Sequence, residues 1–260
     1  MTRFLLLVAF VLGVGVWLVF GGLPFLNRSV SASNGFVVHR VAHAGGGLDG
    51  QTYTNSMEAL DQSIARGFVY IELDLLFTTD GYLVCLHDWN DLGGEALAYD
   101  QFRDAVEARG TFENCDLDRL GTWMTAHPQV YVVTDVKGDN LAALAMMQAR
   151  IPEATRRVIP QVYHPEAVAP VRERGFEQVI WTLYRYDGTV DDVLAWADRF
   201  TGPFAITMSK PWARSDLPRA LAQRGIPTFV HTVNASDEAV AYRSEVGITE
   251  VYTDFLPPRP

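Results

Sequence analysis

The sequence predicts a (β/α)8 TIM barrel, an α/β fold, preceded by an N-terminal transmembrane helix. Three observations predict the barrel. From Phe36 onward, apolar β-branched runs alternate with helical patterns over about 220 residues, a rhythm that implies a parallel sheet. The helical patterns close on glycine directly before the next apolar run. Polar residues suited to chemistry cluster near the ends of several different strands, as a barrel's top face requires and an open doubly wound sheet does not.

The N-terminus comes first. Phe4 to Leu26 contains no charged residue, with Arg3 before it and Arg28 after it. As a helix this run would be about 34 Å long, enough to cross a bilayer core. Val30-Ser31-Ala32 offers small residues for signal cleavage, but the run exceeds the usual signal core of about 7 to 15 residues. The expectation is an uncleaved single-pass anchor over residues 1–28, with the domain extracytoplasmic, either periplasmic or at the cell surface. Residues 29–35 are small and polar and read as a linker, and residues 36–260 as the barrel.

Strand candidates are 37–43, 69–75, 83–88, 130–136, 158–163, 179–184, 204–208, 227–233 and 250–254, one more than eight. Short runs such as 83–88 or 250–254 read as a hairpin arm or a terminal extension. Helix ends precede Gly67, Gly175, Gly225 and Gly247. Helix starts are marked by Asn55 with Glu58 as a capping box, by Pro165, and by Ser215 and Ser236 as N-caps. The widest break in the rhythm is 89–125. Helices over Tyr99–Ala108 and Asp116–Ala126 there suggest an insertion or a lid over the site.

A net charge of −10 argues against nucleic acid, whose phosphates need basic grooves. It bears less on a small phosphodiester, because one metal ion neutralises that charge locally. Neither Cys85 nor Cys115 lies in a CxxC, which argues against a zinc or redox site. A disulfide between them and a buried free thiol at Cys85 are equally open.

The chemistry centres on Glu72 and Asp74, which alternate with Ile71, Leu73 and Leu75 and so share one strand face. Two ionised carboxylates inside a parallel sheet cost several kcal/mol unless paired or metal-bound, so they make half a site for a hard cation. Asp135 shares a face with Lys137 on another strand. Asp135 would complete a three-carboxylate site and Lys137 would meet a phosphate oxygen, although an ion pair between the two explains them equally well. His43 enters the Gly45-Gly46-Gly47 run, where backbone could approach an anion. His87 ends another apolar run, with Asp88 placed to orient its imidazole. Two imidazoles suit general acid and base duty in phosphodiester cleavage. Of the aromatics near strand ends, Trp89 is expected to line a pocket and Trp181 to sit in the core, with Tyr184 nearby.

These residues together resemble the glycerophosphodiester phosphodiesterases, relatives of the phosphatidylinositol-specific phospholipases C. The family's opening His-Arg-Gly and Pro-Glu-Asn-Thr are similar to His43-Ala44-Gly45 and Tyr53-Thr54-Asn55-Ser56. Glu72-Leu73-Asp74, Thr78-Thr79-Asp80-Gly81, His87-Asp88 and Asp135-Val136-Lys137 follow in the same order, then His231-Thr232-Val233-Asn234 and Thr253-Asp254. The resemblance implies a TIM barrel with His43 and His87 as the acid/base pair. It implies Glu72, Asp74 and Asp135 as ligands of a divalent cation, Ca²⁺ or Mg²⁺. Lys137, Trp89 and Asn234 are expected to touch substrate, a phosphodiester small molecule or lipid head group. Three positions depart from the family pattern: Ala44 replaces a phosphate-contacting arginine, Thr54 a glutamate, and Asp135 a longer glutamate. A binding protein on an inactivated barrel is the first alternative, and a glycoside hydrolase using two of the carboxylates the second.

Overall fold

The computed structural model describes residues 30–110 and 112–259. The expected anchor over residues 1–28 lies outside them, and no helix among the described residues is long and apolar enough to cross a membrane.

Two short strands open the chain, β1 (Val30–Ser31) and β2 (Val37–Val38), paired antiparallel. Eight parallel strands then close a barrel: β3 (Val41–Ala42), β4 (Tyr70–Phe77), β6 (Tyr131–Val136), β7 (Val158–Val162), β8 (Val179–Thr182), β9 (Phe204–Ser209), β10 (Thr228–His231) and β11 (Glu250–Thr253). The ring closes because β3 pairs with both β4 and β11. The surplus strand is β5 (Leu83–Cys85), an antiparallel arm on β4, whereas the 250–254 run is a full barrel stave.

Strand alternation sorts the side chains. On β4, Ile71, Leu73 and Leu75 face the helices, while Tyr70, Glu72 and Asp74 face the barrel interior. Phe36, Val41, Tyr70, Val133, Ile159, Ile180, Ala205, Phe229 and Tyr252 fill the interior with an apolar plug drawn from every stave.

Within the expected linker, Ala32 packs against this plug. The linker's turn folds β1 back on β2 across the bottom of the barrel, where Asn34 Nδ2 donates to Phe204 O at 2.7 Å and Val37 N to Gln178 Oε1 at 2.9 Å. Fully buried Phe36 packs edge-on against Phe229 at 6.1 Å between ring centroids. Polar residues read as flexible connection because their hydrogen bonds go to strand ends distant in sequence. The closing seam has only Val41 and Ala42 to pair, and a buried ion pair reinforces it, with Arg40 Nε 3.0 Å from Glu250 Oε1.

Between β4 and β6 run α2 (Tyr99–Arg109) and α3 (Leu117–Ala126), close to expectation, with Asp116 capping the second through Arg119 N. α1 (Met57–Ala65) precedes β4. The 89–125 segment does not form a lid: Trp89 is its one contribution to the central pocket, and Trp89 packs edge-on against Phe102 of α2. Cys85 and Cys115 are joined as a disulfide, Cα to Cα 5.1 Å, which ties β5 to the entry of α3.

Truncating Phe36 to alanine should destabilise the domain by about 3 kcal/mol or more, because the barrel floor cannot collapse around the void. A chemical denaturation midpoint unchanged from wild type would show that the hairpin does not seal the barrel.

Candidate active site

A cavity of about 320 Å³ opens at the C-terminal ends of the staves, lined by His43, Glu72, Asp74, His87, Asp135 and Lys137 among others. In-register pairing builds its floor. Asp74 and Asp135 are direct partners across β4 and β6, so their carboxylates stand side by side, and Glu72 lies two residues down the same face. Ligand oxygens of Glu72, Asp74 and Asp135 all lie within 4.8 Å of one another.

Each carboxylate is held by a different group. Glu72 Oε2 accepts from Ala44 N at 2.8 Å. Asp74 Oδ2 accepts from Asn55 Nδ2 at 3.0 Å, while Asp74 N donates back to Asn55 Oδ1 at 3.0 Å. The Asp135 carboxylate accepts the Tyr163 hydroxyl. Lys137 Nζ bridges the pair, 2.8 Å from Asp74 Oδ1 and 2.6 Å from Asp135 Oδ2. Burial would lower the Lys137 pKa, but the charges of Asp135 and Asp74 overcome it and hold the ammonium firmly protonated. Burial, and then the charge of Asp74, push the Glu72 carboxyl up to about 8. Three crowded hard oxygen donors, one of them forced toward neutrality, fit a divalent cation by donor type and proximity.

His43 follows β3 in a single tight turn, His43–Gly45, where Ala44 takes a left-handed φ of 50°. That strained residue is pinned at both ends, its N–H on Glu72 and its carbonyl accepting Asn55 N at 3.1 Å. His43 Nδ1 lies 2.9 Å from Asp254 Oδ1. Burial would depress this imidazole, yet the Asp254 hydrogen bond and the charges of Glu72, Asp254 and Asp74 raise its pKa above the ordinary value. Asn234 in turn holds Asp254, with Nδ2 donating to Oδ2 at 2.7 Å and Oδ1 accepting Asp254 N at 2.8 Å. His87 stands across the cavity, and the Tyr53 ring lies between the two imidazoles, 4.8 Å from His43 and 4.4 Å from His87. His231, also lining the cavity, is pushed by burial to about 4 and is neutral.

Residues 43–122 match the sequence model of the Glycerophosphoryl diester phosphodiesterase family. The chain is 24% identical to glycerophosphodiester phosphodiesterase 1 of Mus musculus and 25% identical to that of Bos taurus, each alignment covering 84% of this chain and 78% of the relative. Its fold is similar to a crystal structure of a glycerophosphodiester phosphodiesterase from Parabacteroides distasonis, with a TM-score of 0.65, 19% identity, and coverage of 84% of this chain and 93% of the other. It is equally similar to an Oleispira antarctica phosphodiesterase solved with the product sn-glycerol-3-phosphate, with a TM-score of 0.65, 14% identity, and coverage of 85% and 94%. This chain is thus similar to the glycerophosphodiester phosphodiesterases, in sequence over residues 43–122 and in fold over most of its length.

Against that family frame, the structure brings His43, His87, Glu72, Asp74, Asp135, Lys137 and Trp89 to one cavity. Asn234, expected to touch substrate, has its carbonyl and an amide hydrogen on Asp254 and does not line the cavity. Asp88 lines the rim, but its carboxylate accepts Asn90 N at 2.8 Å instead of orienting His87. The glycine run serves packing: a Cβ on Gly46 would meet Ser63 Oγ at 2.2 Å, and one on Gly47 would strike the Phe255 ring. Asn55 is no helix cap. Ser56 Oγ caps α1 by accepting Ala59 N, and Glu58 accepts Glu113 N. Trp181 is buried in the core as expected, and Tyr184 lines the cavity. Sequence reasoning assigned no role to Tyr53, Asp254, Tyr163, Arg185 or His231. Asp254 and His231 stood in quoted motifs at strand ends, the one signal that pointed to them.

A folded state that keeps Glu72 protonated up to about 8 binds a proton the unfolded chain releases in the ordinary carboxylate range, so stability is present below that range and falls as pH rises through about 8. Chelator-treated protein should therefore melt lower at about pH 8 than at about pH 5, and Glu72→Gln should flatten that fall. Ca²⁺ or Mg²⁺ should raise the melting temperature, more at the higher pH. Melting indifferent to both chelator and pH would remove the cation site.

Proposed function

We propose that this chain hydrolyses a phosphodiester of the glycerophosphodiester type, with Glu72, Asp74 and Asp135 holding a divalent cation, Ca²⁺ or Mg²⁺, and with His43 and His87 moving the protons. The observation that carries this reading is the convergence, in one cavity, of two histidines and a three-carboxylate cluster. A volume of about 320 Å³ suits a small head group rather than a molecule with acyl chains.

When bound, the cation would supply charge against the phosphoryl oxygens and stabilise the negative charge that builds in the transition state. The residues of the chain do the rest. Asp254 fixes the ring of His43 through Nδ1 and leaves Nε2 as the nitrogen available to substrate. The raised pKa of His43 favours its protonated form, which suits it to give a proton to the leaving alkoxide. His87, on the other side of Tyr53, then takes the proton of the attacking hydroxyl, from water or from the substrate itself. Tyr53, 44% exposed between the imidazoles, walls off the space in which the reacting oxygens sit.

The first described strand lies on the barrel's bottom face, opposite the cavity mouth.

Alanine at His43 or at His87 should lower kcat by about 10² or more with the melting temperature retained. An active double variant would end the assignment, and binding of glycerophosphodiesters without turnover by the wild type would favour the binding-protein reading. In Asp254→Asn the His43 pKa falls, so the alkaline limb of kcat/KM should move to lower pH. A limb that stays in place would take the acid role away from His43.

A further inference from the structure

The anionic substrate proposed above enters a cavity whose cationic side chains are unequal. Lys137, the expected phosphate contact, has its ammonium between Asp74 and Asp135 at 2.8 and 2.6 Å, and its charge is neutralised within the protein. Beyond His43 itself, assigned above to the leaving group, that loop offers no cation, because Ala44 follows it, buried, with its N–H on Glu72. Three carboxylates, those of Asp74, Asp88 and Asp135, line the same cavity and would repel a phosphodiester.

Arg185 differs. It lines the cavity just beyond β8, is exposed, and has no ion pair or hydrogen bond with another side chain or backbone group among the described residues. Its guanidinium carbon lies 4.5 Å from the centroid of the Tyr163 ring, and the hydroxyl of that ring donates to Asp135. The stack has two consequences. It uses the face of the guanidinium and leaves the N–H donors on its edge free, and it orders a long side chain before any ligand arrives, so less rotamer freedom is lost on binding. Donation from Tyr163 to a carboxylate enriches the ring in electron density, which strengthens the stack. Arg185 is thus held through one residue to the cation-binding Asp135, beside the place where a phosphoryl group must sit.

We propose that Arg185 is the anion-binding residue of this cavity, its guanidinium edge taking a non-bridging oxygen of the substrate's phosphoryl group. The proposal rests on the phosphodiesterase reading for the identity of the substrate, and on the geometry alone for the binding of an anion.

Inorganic phosphate and sn-glycerol 3-phosphate serve as probes, titrated calorimetrically into the full chain with and without Ca²⁺, beside steady-state hydrolysis of a glycerophosphodiester. Arg185→Gln should weaken binding of both probes by about tenfold or more, since a charge-assisted hydrogen bond is lost. It should raise KM by a similar factor and change kcat much less. Arg185→Lys, which restores the charge without the planar fork, should recover part of the affinity. Arg224→Gln removes an arginine paired with Asp198 at 2.9 Å outside the cavity and should bind as wild type. Wild-type protein that fails to bind phosphate, or an Arg185→Gln variant with unchanged phosphate affinity and KM, overturns the proposal whether or not kcat falls. Phosphate binding lost in Arg185→Gln, in a protein that hydrolyses no diester, would sustain the proposal and refute the hydrolase reading.

Discussion

The site depends on a register. Because β4 and β6 are parallel neighbours with Asp74 opposite Asp135, alternation sends both carboxylates into the barrel at one level, with Glu72 one layer below and Lys137 one layer above. A shift of one residue in either strand would bury Leu73 or Val136 in the cavity and press the carboxylates against the helices. Register is in turn enforced by the apolar layer beneath, where Tyr70 and Val133 belong to the same interior plug. The floor of the barrel therefore aligns the carboxylates as well as closing the core.

Placing three carboxylates there costs several kcal/mol unless they are compensated, and the compensation is incomplete. Lys137 answers two of them, Asn55 and Tyr163 give hydrogen bonds, and Glu72 has one backbone N–H from Ala44. Burial, and then the charge of Asp74, shift the Glu72 carboxyl upward in consequence. An apolar core would be more stable at this level, so folding stability does not account for the arrangement.

Strand alternation is a local property, and it made the barrel, the carboxylate face and the position of both histidines legible from residues 42–88 and 130–137. What escaped depends on distant partners. Asp254 reaches His43 across 211 positions, and Asn34 reaches Phe204 across 170. Asn55 shows the ambiguity of a local sign: an asparagine three residues before a glutamate suits a cap, but φ of 47° turns its side chain inward onto Asp74. Asn234 is expected to touch substrate by family resemblance alone, and only the closed barrel shows that it faces Asp254. The disulfide was undecidable because Cys115 lies in the stretch where periodicity fails.

Two polar networks meet in the cavity and touch at one covalent step. One runs from Asn55 through Asp74, Lys137 and Asp135 to Tyr163 and Arg185; the other runs from Asn234 through Asp254 to His43. Ala44 links them, because its carbonyl accepts the N–H of Asn55 and it is bonded to His43. The left-handed turn at Ala44 is a costly conformation for a residue with a Cβ, and it persists where Glu72 and Asn55, each part of the carboxylate side, grip its N–H and carbonyl. The position of the histidine relative to the carboxylate oxygens is thus set by backbone strain held from the carboxylate side. A flexible turn at this point would leave the imidazole free to drift by an ångström or more, a displacement that costs an enzyme far more than the strain costs the fold.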